Sequence, residues 1–192
     1  MRVKKTGVGC VHIIAGQLKG SKLPVLDKNG LRPTSNRVRE TVFNWLQHNI
    51  QGKRVLDLFA GSGALGFEAA SRLANHVALV ENDAATAQQL RENKARLKCD
   101  SVEIIQADGL KWLIASQSPP FDIVFLDPPF AFGQWPALWR SLAPLLAEQA
   151  LVYIEHSVQQ NIDWPEQLTH LKQGKTVQSQ YFLCQWHKSS VG

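Results

Sequence analysis

The sequence predicts an α/β fold, a mostly parallel, Rossmann-like sheet of seven strands with helices on both faces. Three observations carry that prediction. From Arg54 onward, five continuous apolar runs alternate with segments of helical character, the pattern of strands covered on both sides. A glycine-rich turn, Gly61-Ser62-Gly63-Ala64-Leu65-Gly66, follows the first run. The tail, Gln167 to Trp186, lacks helical periodicity and reads as two strands around Gly174, one hairpin added to the sheet edge.

Residues 1–52 form a basic N-terminal extension ahead of a domain spanning 53–192. In the extension, VHIIAG (11–16) predicts a short strand and KLPV (22–25) another, with Gly16 and Gly20 punctuating the link. Arg32-Pro33-Thr34-Ser35 then opens a helix that Thr34 or Ser35 caps. Val38, Val42, Trp45 and Leu46 recur on one face of it, and Arg37 and Arg39 fall on others. In the domain, RVLDLF (54–59) is the first strand, and the glycine turn leads into a helix ending near Leu73. HVALVE (76–81) follows, then a helix through Leu97 that turns Ala87, Leu90 and Leu97 to the sheet. VEIIQA (102–107), a short helix 109–116, FDIVFLD (121–127), a helix 135–146 and ALVYIEH (150–156) complete the alternation.

Composition narrows the function classes. Hydrophobic residues make up 44% and charged residues 19% of the 192 residues, enough for a filled core and unlike a disordered chain. No apolar run approaches the roughly 20 residues that span a bilayer, so no membrane association is expected, and the basic start lacks the apolar stretch of a signal peptide. Cys10, Cys99 and Cys184 lie far apart without C-x-x-C spacing, which argues against a disulfide framework or zinc site and fits a reducing cytoplasm. The six histidines show no metal-ligand spacing, so no metal is expected. Charge is unevenly spread: residues 1–54 hold 11 of the 21 Lys and Arg but only two of the 16 acids, Asp27 and Glu40. A basic segment beside a slightly acidic body suits a phosphate-backbone partner.

The glycine turn matches G-x-G-x-x-G, a pattern shared by NAD, FAD and S-adenosylmethionine sites. Small residues let a ligand touch the main chain, and the helix N-terminus presents N–H groups to an anion. The flanking residues choose among ligands. Asp57 sits inside an apolar strand four residues before Gly61, where burial demands a partner such as the cationic α-amino group of a methionine. Glu81 closes the second strand, 20 residues after Gly61, placed to accept from both ribose hydroxyls. That position fits NAD equally well. Asp108 can accept from an adenine amino group, or cap the helix starting at Gly109. No Lys follows the turn as in a Walker motif.

Asp127-Pro128-Pro129-Phe130 follows the fourth apolar run. Consecutive prolines stiffen a loop at the carboxyl end of a parallel strand, where α/β sheets place their chemistry. Asp127 and the Pro128 carbonyl are two rigid acceptors for the two N–H donors of an exocyclic amine. Holding it so favours a tetrahedral, nucleophilic nitrogen, and alignment with a sulfonium methyl is then much of the work. Phe130 can stack on a flipped base. The competing reading is a tight turn carrying a core phenylalanine.

DLFAGSG followed by DPPF is similar to class I methyltransferases of the amino-group type, whose motif is [DNS]PP[FYW]. AGQLKGSKL (15–23), GLRPTSNRVRETVFNWL (30–46) and FAGSGALGFEA (59–69) resemble the RsmD family, and the resemblance runs from about Ile13 to Trp186. It implies the class I methyltransferase fold, S-adenosylmethionine as cofactor, and methylation of a guanine N2 in 16S ribosomal RNA. Asp57, Gly61, Gly63, Glu81 and Asp108, with Phe59, Asn82 and Gly109 beside them, then correspond to the cofactor site, and Asp127 to Phe130 to the catalytic loop. Arg32, Thr34, Arg37 and Glu40 match the family's RPT-x-x-R-V-R-E stretch; with Arg39 they are expected to complete the pocket and anchor phosphates, although ordinary surface charge explains Arg39 as well. Ala15 stands where the family pattern has glycine, and the 131–140 loop carries Trp135 and Trp139 instead of a strongly basic run. These tryptophans, four apart, could form one helical face or a stacking surface. A chain this small is expected to act as a monomer and to recognise RNA by shape, on the small subunit or an assembly intermediate. Adenine-N6 methylation of DNA or RNA is the alternative activity, since the same two-acceptor loop would serve. A nucleic-acid-binding protein without catalysis is the alternative from another class; intact Asp57, the glycine turn and DPPF argue against it.

Overall fold

A computed structural model describes residues 9–26 and 36–188. Arg32 and Thr34, and the predicted helix cap at Thr34 or Ser35, lie outside the described residues.

The main sheet has seven strands. In chain order they are β3 (Arg54–Asp57), β4 (His76–Glu81), β5 (Val102–Gln106), β6 (Phe121–Leu126), β7 (Leu146–Ser157), β8 (Leu168–Lys175) and β9 (Ser179–Trp186), arranged in space as β5-β4-β3-β6-β7-β9-β8. The five strands from β5 to β7 are parallel, and β9 pairs antiparallel with both β7 and β8. A separate antiparallel pair joins β1 (Gly9–His12) to β2 (Lys22–Val25). From β3 the chain winds outward through β4 and β5, then returns to β6 on the other side of β3. This reversal opens a crevice at the carboxyl ends of β3 and β6, where doubly wound sheets bind ligands.

Helices cover both faces. On one lie α1 (Asn36–Leu46), α2 (Ala64–Ser71) and α3 (Ala84–Leu97); on the other, α4 (Gly109–Ala115) and α5 (Trp135–Leu142). Gly66 brings α2 close to the sheet, since a Cβ there would stand 2.7 Å from Leu79 Cδ1 of β4. Asp83 starts α3 by accepting from the Thr86 amide at 2.7 Å.

The N-terminal extension shares the core of the sheet. Val42, Phe43 and Leu46 of α1 are buried with Val55, Phe125 and Tyr153, and the Phe43 ring lies 5.8 Å from Phe125. The link between β1 and β2 is fastened to α2. Buried Glu68 accepts from the amides of Ile14 at 2.7 Å and Ala15 at 3.0 Å, and Ser71 Oγ accepts from the Leu18 amide at 2.9 Å. Gly16, at φ 84°, passes so close that a Cβ would stand 2.0 Å from the Ser71 carbonyl oxygen.

Several expectations are corrected. The first strand is Gly9–His12, not 11–16, because Ile14 and Ala15 give their amides to Glu68 instead of a strand ladder. The predicted helix 135–146 ends at Leu142, continues as a single 3-10 turn, Ala143–Leu145, and gives way at Leu146 to β7, which starts before the predicted 150. Gly174 is not the turn of the tail hairpin but lies within β8 opposite Tyr181, where a Cβ would stand 2.2 Å from the ring. The turn falls at 176–178, closed by Thr176 Oγ1 accepting from Gln178 and Ser179 amides. Arg39 is not a surface group available to phosphates. It is fully buried, and its Nη2 donates to the His12 carbonyl at 3.0 Å and to Asn36 Oδ1 at 2.6 Å. Burial lowers its pKa, opposed by the charges of Glu68 and Glu40. Trp135 and Trp139 are both buried, stacked 5.8 Å apart on the inner face of α5, so they are core and not an RNA-stacking surface.

Candidate active site

A cavity of about 510 Å³ opens over the carboxyl ends of β3, β4 and β6, within the size range of small-molecule sites. Three turns and one stiff loop build it. Asp57 and Phe59 come from the end of β3, Gly61 from the glycine turn, Glu81 and Asn82 from the end of β4, and Asp108 and Gly109 from the start of α4. Asp127, Pro128, Pro129 and Phe130 come from the loop after β6. Of the candidate catalytic and cofactor residues only Gly63 stands apart from the lining. It precedes α2 at φ 74°, and a Cβ there would press within 2.6 Å of Leu90 Cδ2, so its role is to turn and pack the chain.

The acids are held by backbone amides. Asp57 Oδ2 accepts from Gly66 in the first turn of α2 at 3.1 Å. Burial raises its pKa from the ordinary 3.8 to about 7; the Gly66 amide opposes the rise and the charge of Glu81 adds to it. The expected cationic partner is thus joined by a partner in the protein itself, an orphan amide of the helix end. Glu81 Oε2 accepts from Gly61 at 2.9 Å and Oε1 from Asp83 at 2.8 Å. Each oxygen retains a second lone pair for a ligand hydroxyl. Asp108 caps α4 through Oδ1, which accepts from Lys111 at 3.0 Å, and also lines the cavity, so both readings of it hold together geometrically.

After β6 the Phe132 amide donates to the Pro129 carbonyl at 2.8 Å. This turn leaves Phe130 half exposed at the cavity mouth. Phe132, missed in the sequence, lines the cavity and meets Phe59 edge-on at 5.4 Å and Trp135 at 5.3 Å. Gln160 Nε2 donates to the Phe132 carbonyl and ties in the segment after β7. Behind the loop, the Tyr153 hydroxyl donates to Glu155 Oε2 at 2.6 Å; the signal for this pair was an acid within the apolar run ALVYIEH. On α1, Arg37 is exposed, as is Glu40.

Four carboxylates, Asp57, Glu81, Asp108 and Asp127, border the cavity, with no Lys or Arg among its described lining residues. Such a rim suits a ligand that carries positive charge, and the mostly parallel seven-stranded sheet is that of a class I methyltransferase. Comparison with known proteins agrees. The family model described as conserved hypothetical protein 95 matches residues 11–185. A Haemophilus influenzae protein named ribosomal RNA small subunit methyltransferase D is 46% identical over 186 residues, 92% of this chain and 94% of its own. The Escherichia coli K12 protein of the same name is 45% identical over 159 residues, 82% of this chain and 80% of its own. The solved structure of a putative methyltransferase, yhhF, from Escherichia coli superposes with a TM-score of 0.85 at 40% identity, covering 93% of this chain and 99% of that one. The chain belongs to this family, the RsmD methyltransferases.

Proposed function

We propose that the protein transfers a methyl group from S-adenosylmethionine to the exocyclic N2 of a guanine in 16S ribosomal RNA. The observation that carries this reading is the shared cavity: the stiff loop Asp127 to Phe130 borders the same space as the acidic rim. The names of the relatives support ribosomal RNA of the small subunit as substrate.

In this reading Asp57 receives the α-amino group of the cofactor, Glu81 its ribose hydroxyls and Asp108 its adenine amine, with Phe59, Gly61, Asn82 and Gly109 shaping the walls. Bound S-adenosylmethionine supplies a methyl on a cationic sulfur. Asp127 and the Pro128 carbonyl accept from the two amine hydrogens of the base and aim its lone pair, Pro129 keeps the loop stiff, and Phe130 stacks on the extruded base. Arg37, exposed on α1, anchors phosphate, together with Arg32 and Thr34. The small subunit or an assembly intermediate is the partner, met by a monomer in the cytoplasm. No helix among the described residues is long and apolar enough to cross a membrane.

The test is transfer of a labelled methyl to 16S RNA and to small subunits lacking the modification, followed by digestion to nucleosides. Label in N2-methylguanosine supports the proposal. Label in N6-methyladenosine alone overturns it in favour of the adenine enzyme.

A further inference from the structure

Strands β6 and β7 run parallel in the register Phe125↔Tyr153 and Leu126↔Ile154. Asp127 directly follows the last of these pairs on β6, and Glu155 follows it on β7. Side chains alternate along a strand, so Glu155 shares the face of Tyr153. Tyr153 and Glu155 are 0% and 7% exposed. The 2.6 Å bond from the Tyr153 hydroxyl has the length of a charge-assisted O–H···O⁻ contact. Burial pushes the phenol well above its ordinary value, and the charges of Glu155 and then Asp127 push it the same way. It therefore stays a donor at any physiological pH, and Asp127 is near enough to act on it. A carboxylate this buried is costly to keep, and the reaction derived above assigns it no task.

We infer that Glu155, oriented by Tyr153, is a positioning residue for methyl transfer, extending the negative field of Asp127 behind the attacking amine. This rests on the reading that an exocyclic amine is methylated from a sulfonium. The nitrogen–carbon bond forms as the carbon–sulfur bond breaks, the electron pair of the broken bond goes to sulfur, and the nitrogen becomes positive until it loses a proton to solvent. Positive charge thus moves from sulfur to nitrogen, towards Asp127 and Glu155. A fixed negative charge on that side stabilises the transition state more than the ground state, and so raises the rate without tightening cofactor binding.

The test is Glu155→Gln in the full chain, which removes the charge and keeps the shape. Single-turnover methylation of RNA is expected to slow by about tenfold or more, with cofactor affinity and Tm unchanged; a wild-type rate overturns the inference. A second measurement does not depend on stability. In Glu155→Asp, which restores the charge, the single-turnover rate is expected to recover most of what Glu155→Gln loses, while the Kd of S-adenosylmethionine and of S-adenosylhomocysteine stays at the wild-type value in both variants. A rate in Glu155→Asp as low as in Glu155→Gln, or cofactor affinity lost in step with the rate, overturns the inference. Wild-type protein that methylates a base atom other than guanine N2 refutes the functional reading instead, and the rate ratio on that base still decides the role of Glu155.

Discussion

Asp57 Oδ2 accepts the amide hydrogen of Gly66 at 3.1 Å, so a carboxylate that is 2% exposed fastens the end of β3 to the first turn of α2. The same side chain lines the cavity, where a bound cation is expected to shift its protonation.

Its pKa is raised from 3.8 to about 7 by burial. Between these values the folded, ligand-free chain holds a proton that the unfolded chain has lost. The stabilisation from this site is therefore complete below about pH 4 and is lost as pH rises through about 7. A cationic ligand reverses the preference by favouring the charged form. S-adenosylmethionine affinity is expected to rise from pH 5 to 7, at up to about tenfold per unit, and to level off above. Calorimetry in buffers of different ionisation enthalpy is expected to count up to one released proton near pH 6, and none in Asp57→Asn. A pH-independent affinity in the wild type would refute the assignment.

Glu81 joins the glycine turn to the end of β4 through the amides of Gly61 and Asp83. Glu81→Ala removes both contacts along with the acceptors proposed for the ribose. Cofactor binding is expected to weaken by about 2–3 kcal/mol, a factor of roughly 30 to 150 in Kd, with a much smaller change in kcat at saturation. Titration of the purified variant measures this, and a wild-type Kd would remove Glu81 from the cofactor site.

In the proposed reaction Asp127 acts on the base and not on the cofactor's handle. Asp127→Ala is expected to lower kcat by about 10²–10³-fold or more while cofactor affinity stays near wild type. Single-turnover assays beside binding titrations separate the two. Wild-type turnover would refute the role given to Asp127.

Gly16 tests the seam between the extension and the domain. Gly16→Ala forces a positive φ on an L-residue and drives its Cβ to 2.0 Å from the Ser71 carbonyl oxygen. The expected loss is about 2–4 kcal/mol of folding stability, from backbone strain plus the displacement of α2 or of the 13–21 turn. Urea denaturation measures it; a loss below about 0.5 kcal/mol, the usual scale for a harmless surface change, would show that the seam yields easily.

Much of this architecture was legible in one dimension because burial on two faces leaves an unmistakable mark. Runs such as HVALVE and FDIVFL have no polar side to offer, and each is a strand. The acids at strand ends stood out for the opposite reason, since Asp57 interrupts an apolar run that would otherwise exclude it. What escaped notice depends on partners remote in sequence. Gly174 marks no turn because its missing side chain accommodates Tyr181 from the neighbouring strand. Arg39 lies on a polar stretch of helix, and only the β1 carbonyl arriving from His12 turns that side into an interior. Trp135 and Trp139 share a face by spacing alone, but packing against Phe132 and the sheet decides that the face is buried. Glu155 gave the same signal as Asp57, an acid in an apolar strand, and its meaning emerged once β7 was registered against β6.

Strand β9 lies between β7 and β8 with most of its side chains buried. It is the latest in sequence of the described strands and is interior to the sheet, so during vectorial synthesis it must insert beside β7 after the parallel strands have been made. A chain cut short ahead of Ser179 keeps every parallel strand but loses the wedge that closes the sheet, and is expected to expose the apolar border of β7 and to associate through it.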